Sequence, residues 1–142
     1  MKSIFVDTNI LLDVFAKRQP HYSKGMAVWS LVETSEVKGF VSAISYNNVY
    51  YVLNNAKNAE VARKAMVIIR DLFTTVPLDE KIINMSIDSN FADFEDAIQY
   101  FSAVRCDADC IITRNKKDFK LSDVPVLSPE EFLSIYEQDL AQ

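Results

Sequence analysis

Short apolar runs alternate with helical stripes along the whole chain. Runs rich in Ile and Val, bounded by polar residues, predict buried strands at residues 3–6, 39–42, 75–77, 110–113 and 125–127. The segments between them place apolar residues at helical spacing. This alternation is typical of βαβ units, in which helices cover both faces of a buried parallel sheet. The pattern therefore predicts an α/β fold with four or five strands, and it leaves their order open.

Three of the predicted helices carry clear signals. The apolar stripe of one consists of Val61, Ala65, Ile68, Ile69 and Leu72. The stripe of another consists of Phe94, Ala97, Ile98 and Phe101. The last helix has a readable start, because Ser128 can cap it, Pro129 suits its first turn and Glu131 completes a capping box. We expect all three segments to be amphipathic helices.

Composition limits the class of protein. The 142 residues are 49% hydrophobic and 25% charged, which predicts a single domain, residues 1–142, with an ordinary core. Cys106 and Cys110 are too few for a disulfide framework and lack partners for a zinc site, so we expect buried thiols. His21 is expected at the surface. With no signal peptide and no apolar run of about 20 residues, we expect a cytoplasmic protein without a membrane span.

The net charge and the glycine content limit the classes of ligand that the chain can bind. A net charge of −5 argues against binding nucleic acid by bulk attraction, so any such role needs local basic groups. Arg114, Lys116, Lys117 and Lys120 form the best candidate group, and the other short basic runs are expected to be solvated surface. With only two glycines, the chain cannot form a glycine-rich phosphate loop or a dinucleotide-binding motif.

Carboxylates follow the predicted strands. Asp7 directly follows the first strand, Asp93 and Asp96 open a helix, and Asp118 lies just beyond the fourth strand. Ligands of open α/β sheets bind outside the carboxyl ends of the strands, so these residues are placed where chemistry is expected. Taken singly, each is explained by helix capping, and capping is the favoured interpretation of Asp93.

Taken together, the same carboxylates indicate a cation. Carboxylates held close to one another repel, and a bound cation relieves that repulsion. Mg²⁺ prefers one or two carboxylates, waters and phosphate oxygens, which matches a sparse acidic site without thiols or imidazoles. Asp13 and Glu95 are expected either to be solvated or to support the ligand residues without contacting the cation.

These motifs resemble those of the PIN domain family of metal-dependent ribonucleases, which includes the VapC-type toxins of toxin–antitoxin pairs. The resemblance covers almost the whole chain. It rests on Val6-Asp7-Thr8-Asn9-Ile10-Leu11-Leu12-Asp13, on Asp93-Phe94-Glu95-Asp96-Ala97, and on Thr113-Arg114-Asn115 followed by Lys117-Asp118-Phe119. It implies a three-layer α/β/α domain, an Mg²⁺- or Mn²⁺-dependent endoribonuclease, an RNA substrate, an antitoxin protein partner and a homodimer.

The resemblance also implies roles for individual residues. Asp7, Asp96, Asn115 and Asp118 correspond to catalytic positions, and the three aspartates among them to metal ligands. The supporting positions are Asn9, Asn48, Asp93 and Thr113. Apart from the resemblance, the local basic charge of Arg114, Lys116 and Lys117 leads us to expect that they contact RNA phosphates.

One position departs from the family pattern. Asn48 stands where the pattern has Glu, so one acidic ligand is missing. An amide oxygen can coordinate Mg²⁺ but brings no charge. The alternative to a ribonuclease is therefore a catalytically weakened PIN-like module that binds RNA or protein. A phosphoacceptor receiver domain is disfavoured, because no acidic neighbour accompanies Asp7.

Several aromatic residues have two possible roles. Trp29, Tyr46, Tyr50 and Tyr51 lie on predicted amphipathic helices. Such rings can stack on nucleic-acid bases, but they more often belong to a core or an interface. The sequence favours the core or interface for this group.

Overall fold

The computed structural model describes residues 1–142. Its strands are β1 (Ser3–Val6), β2 (Lys38–Ser42), β3 (Thr74–Val76), β4 (Cys110–Ile112) and β5 (Val126–Leu127). Its helices are α1 (Thr8–Phe15), α2 (Tyr22–Glu33), α3 (Ala43–Ala56), α4 (Ala59–Leu72), α5 (Glu80–Asp88), α6 (Phe94–Arg105) and α7 (Pro129–Leu140). A 3₁₀ turn, Lys116–Phe119, follows β4. All five predicted strands are present, and each end lies within one residue of its predicted place.

The strands form one parallel sheet in the order β3-β2-β1-β4-β5. From the central β1, the chain builds outwards first through β2 and β3 and later through β4 and β5. The order therefore reverses between β1 and β4, which makes their carboxyl ends a topological switch point. Ligands of open α/β sheets bind in the crevice at such a point.

The two faces of the sheet carry separate cores. In β1, Ile4 and Val6 point into a core that also receives side chains from α1, α2, α3, α4 and α7. Phe5 points the other way, towards side chains of α5 and α6. Successive strand residues face opposite sides, so a strand buried on both faces is apolar throughout. The predicted α/β/α architecture with a central parallel sheet is confirmed.

The predicted stripes of two helices are partly wrong. On α4 the buried residues are Ala62, Ala65 and Ile69, whereas Val61 and Ile68 are 40% and 42% exposed. This helix packs against α3, and its small alanines lie on the buried side. On α6, Phe94 is 49% exposed and lies outside the core.

The start of α7 is as predicted, whereas the burial of the cysteines and of the histidine is so only in part. Ser128 and Glu131 form the predicted capping box at the start of α7. Cys110 is fully buried, and burial raises the pKa of its thiol to about 12; Cys106 is half-buried. His21 is half-buried rather than a plain surface residue. No helix combines the length and the apolar character that crossing a bilayer requires.

Candidate metal and active site

Asp7 directly follows the central strand β1 and lies at the switch point. It occupies the N-cap position of α1, but its side chain makes no capping hydrogen bond. The carboxylate is only 4% exposed, and the hydroxyl of Thr113, which follows β4, donates to Asp7 Oδ2 at 2.8 Å. A buried carboxylate that does not cap its helix is available for another role. Thr113 ties that carboxylate to the neighbouring strand.

The start of α6 supplies the second carboxylate. Asp93 is the N-cap, and its Oδ1 accepts a hydrogen bond from the backbone N–H of Asp96 at 3.0 Å, as the capping interpretation predicted. The side chain of Asp96 is half-buried and takes part in no hydrogen bond or ion pair. The cap thus orients the first turn of α6 and leaves the Asp96 carboxylate without a partner.

Both carboxylates line one cavity of about 450 Å³ at the carboxyl end of the sheet. The cavity lies between α1, α3 and α6. Its lining comprises Asp7, Thr8, Asn9, Leu12, Asn47, Asn48, Tyr51, Val52, Asp93, Glu95 and Asp96. Residues from three separate segments of the chain therefore meet where the sequence places the acidic site.

Asp7 and Asp96 have raised pKa values. Burial, with added repulsion from Glu95 and Asp118, raises the pKa of Asp7 from 3.8 to about 6 despite the Thr113 hydrogen bond. Burial and the charges of Asp93, Asp118, Asp7 and Glu95 raise the pKa of Asp96 from 3.8 to about 7. Burial is the larger cause, and the neighbouring negative charges add to it; a bound metal ion would oppose both effects.

The donor set fits a hard divalent cation. It offers carboxylate and amide oxygens and no sulfur or imidazole, which suits Mg²⁺ or Mn²⁺. No three Asp, Glu, His or Cys side chains come close enough to enclose an ion by themselves. Waters and substrate oxygens would complete the shell, as is usual for Mg²⁺ in phosphoryl-transfer sites.

Comparison with known proteins agrees with this geometry. The family model of the PIN domain matches residues 3–117. The chain belongs to the PIN domain family. Ribonuclease VapC1 of Aquifex aeolicus (strain VF5) is 30% identical to it over 135 residues, which cover 92% of this chain and 93% of that protein.

Solved structures of other proteins share the fold. A toxin–antitoxin complex from Klebsiella pneumoniae matches with a TM-score of 0.66 and 24% identity, covering 89% of this chain and 97% of that one. FitAcB from Neisseria gonorrhoeae matches with a TM-score of 0.68 and 18% identity, covering 89% and 98%. At these identities the likeness concerns the fold.

The departure from the PIN pattern lies inside the cavity. Asn48 of α3 is half-buried and lines the cavity, and Asn47 and Asn9 lie beside it. The Nδ2 atom of Asn48 is buried and has no hydrogen-bond partner in the chain. An unpaired buried N–H group is costly, so this one calls for an acceptor that enters the site.

The residues after β4 lie next to the cavity. The backbone N–H of Asn115 donates to Thr113 Oγ1 at 3.1 Å, so one hydroxyl connects Asn115 to Asp7. Asp118 is exposed on the 3₁₀ turn and lines an adjoining cavity of about 340 Å³ together with Asp93, Asp96 and Lys117. Neither Asn115 nor Asp118 lines the 450 Å³ cavity that Asp7 and Asp96 share. The charge of Asp118 nevertheless raises the pKa of both Asp7 and Asp96.

Two of the three predicted phosphate contacts have other partners. Arg114 donates from Nε and Nη2 to both carboxylate oxygens of Asp13, at 2.7 and 3.0 Å, and the Asp13 side chain is only 1% exposed. Lys116 pairs with Glu131 at 2.9 Å. The Arg114 guanidinium is therefore held by a buried charge. Its contact with an RNA phosphate remains a prediction. Lys117 alone of the three has no ion pair.

Sequence reasoning missed a buried polar network beneath the cavity. Gln99 Nε2 donates to Thr8 Oγ1 at 2.9 Å and to Ser45 Oγ at 3.2 Å, and these two hydroxyls lie 2.7 Å apart. The network joins α1, α3 and α6, the three helices that supply the cavity. One signal was available: Gln99 is a polar residue within an apolar stretch, one helical turn after Asp96.

Proposed function

We propose that this PIN domain, which we take to comprise residues 1–142, is a divalent-metal-dependent endoribonuclease. The observation that carries the proposal is the pair formed by Asp7 and Asp96, two carboxylates with raised pKa values that line one cavity at the switch point. The relative from Aquifex aeolicus is named a ribonuclease, which supports RNA as the substrate.

Different residues of the site would bind the metal ion, orient its ligands and contact the RNA. Asp7 and Asp96 would hold the ion, and Asp118 on the 3₁₀ turn and Asn115 just before it would complete the site. When bound, Mg²⁺ or Mn²⁺ makes water more acidic and offsets charge on the phosphate. Thr113 keeps Asp7 oriented by donating to its Oδ2. Lys117 can contact a flanking phosphate from the adjoining cavity.

The direct test is metal-dependent cleavage. Structured and unstructured RNAs are incubated with the purified chain in Mg²⁺, in Mn²⁺ or in EDTA, and products are resolved on gels. We expect cleavage with metal and none in EDTA. Intact RNA in both metals would exclude ribonuclease activity under these conditions.

Asn48 favours a second candidate function, a module that binds RNA or protein without cutting it. A missing acidic ligand lowers the charge that holds the ion. Metal-dependent RNA binding without any cleavage would identify this module.

Replacing Asn48 with Glu separates these cases. The new carboxylate would enter the cavity, so we expect Mg²⁺ affinity, measured by calorimetry, to rise at least about tenfold. Asn54→Glu is the matched control, because it makes the same change on an exposed part of α3 outside the cavity. If both variants bind Mg²⁺ and Mn²⁺ as the parent does, Asn48 is not at a ligand position.

The partners are also proposed. Structural neighbours are toxin–antitoxin complexes, so we propose an antitoxin protein for this chain, and the family resemblance leads us to propose a homodimer. Sedimentation at the monomer mass would exclude the homodimer.

A further inference from the structure

The cavity that Asp7 and Asp96 line has two walls of different chemistry. The wall from α6 and the end of β1 carries the carboxylates of Asp7 and Asp96. The wall from α3 presents the amides of Asn47 and Asn48 and the ring of Tyr51. A metal-bound phosphate needs only the first wall. The second wall combines an aromatic ring with two amides, which suits a ligand that has a flat apolar face and polar edges.

Tyr51 is the unusual residue of that wall. Its side chain is 66% exposed, and it has no hydrogen-bond, aromatic or cation–π partner. The other tyrosines of α3 are engaged, since Tyr46 hydrogen-bonds to Thr75 at 2.8 Å and the Tyr50 ring lies 5.9 Å from the Arg63 guanidinium. Tyr51 is thus the one ring of this helix that is available to an incoming ligand.

The helical spacing places amide groups beside the ring. Asn47 is four residues and Asn48 three residues before Tyr51, so all three project from the same side of α3. Asn48 Nδ2 is buried without an acceptor. A ring for stacking together with amides for edge contacts is how proteins recognise unpaired bases of RNA.

We propose that Tyr51, Asn47 and Asn48 form a nucleobase subsite beside the metal site, which holds the base next to the bond that is cut. The inference rests on the proposed ribonuclease function and names the residues that position its substrate. The base stacks on the Tyr51 ring, and its edge accepts a hydrogen bond from an amide. This contact positions the neighbouring phosphate over Asp7 and Asp96. A duplex cannot present a base in this way without unpairing it.

The test is a cycle that changes both protein and RNA. Values of kcat/KM are measured for an unstructured oligonucleotide and for a set of copies, each with one abasic position. We expect Tyr51→Ala to lower kcat/KM on intact RNA by about tenfold or more, as is typical for loss of one stacked base. Tyr51→Phe keeps the ring and should stay within about twofold of the parent. One abasic copy should lower kcat/KM of the parent by a similar factor and that of Tyr51→Ala very little.

Controls separate the subsite from other causes. Ile87→Ala removes an equally exposed apolar side chain, 62% exposed on α5, and should not change kcat/KM. Calorimetry should show that Tyr51→Ala binds Mg²⁺ as the parent does. Unchanged kcat/KM for Tyr51→Ala would overturn the subsite and leave the ribonuclease proposal standing. A changed oligomeric state in Tyr51→Ala would assign the ring to a protein interface and overturn it too. If the parent cuts no RNA, both proposals fail.

Discussion

Asp96→Asn is expected to abolish metal binding and RNA cleavage while leaving the metal-free protein at least as stable as the parent. The substitution removes a ligand and also one of the crowded charges that only a cation offsets. Loss of an outer-sphere residue typically costs 10–100-fold in metal affinity or activity, so loss of a direct ligand should cost at least about 100-fold. Calorimetry with Mg²⁺ and melting curves with and without metal measure the two effects.

The same variant should change the pH dependence of stability. The folded chain raises the pKa of Asp96 to about 7 from 3.8, so in this range the folded state binds its proton more tightly than the unfolded state does. Stability from this group is therefore fully present below pH 3.8 and is lost as pH rises through about 7. Asn has no such titration, so the gain in melting temperature should be larger at pH 8 than at pH 5.

Asp93→Asn is the matched control for Asp96→Asn. It removes a carboxylate from the same helical turn, but Asn caps a helix about as well as Asp. We expect it to retain most metal affinity. If Asp96→Asn instead lowers the stability of the metal-free protein substantially, Asp96 is a structural residue and the assignment of the metal site is wrong.

Arg114→Leu is expected to have the largest effect on stability. It leaves the Asp13 carboxylate, 1% exposed, with only Arg18 at 3.9 Å as a cationic neighbour. Removing one partner of a buried ion pair costs about 3–5 kcal/mol because the other charge stays buried. Since Arg114 is partly exposed, we expect the lower end, about 3 kcal/mol, measured by urea unfolding.

Two further variants test why Arg114→Leu loses stability. Lys116→Met breaks the exposed pair with Glu131 and should cost at most about 1 kcal/mol. Combining Arg114→Leu with Asp13→Leu removes both charges and should recover much of the loss. Equal losses for Arg114→Leu and Lys116→Met would mean that Asp13 does not remain a buried charge.

The sequence by itself determined the elements of this fold and the place of its acidic residues. Strand positions followed from short apolar runs, and the Ser128 capping box followed from neighbouring residues, because these signals are local. Asp7 and Asp96 were found because the carboxyl end of a strand and the first turn of a helix can be recognised in one dimension.

Only the tertiary structure decided which side chains are left free. The partner of Arg114 is Asp13, 101 residues away, and no local pattern reveals such a pair. Gln99 reaches Thr8 across 91 residues, and the buried face of α4 depends on how that helix packs against α3. Strand order likewise brings β1 next to β4 and so creates the switch point. Local sequence specifies dihedral preferences and patterns, whereas contacts between distant residues depend on how the elements pack.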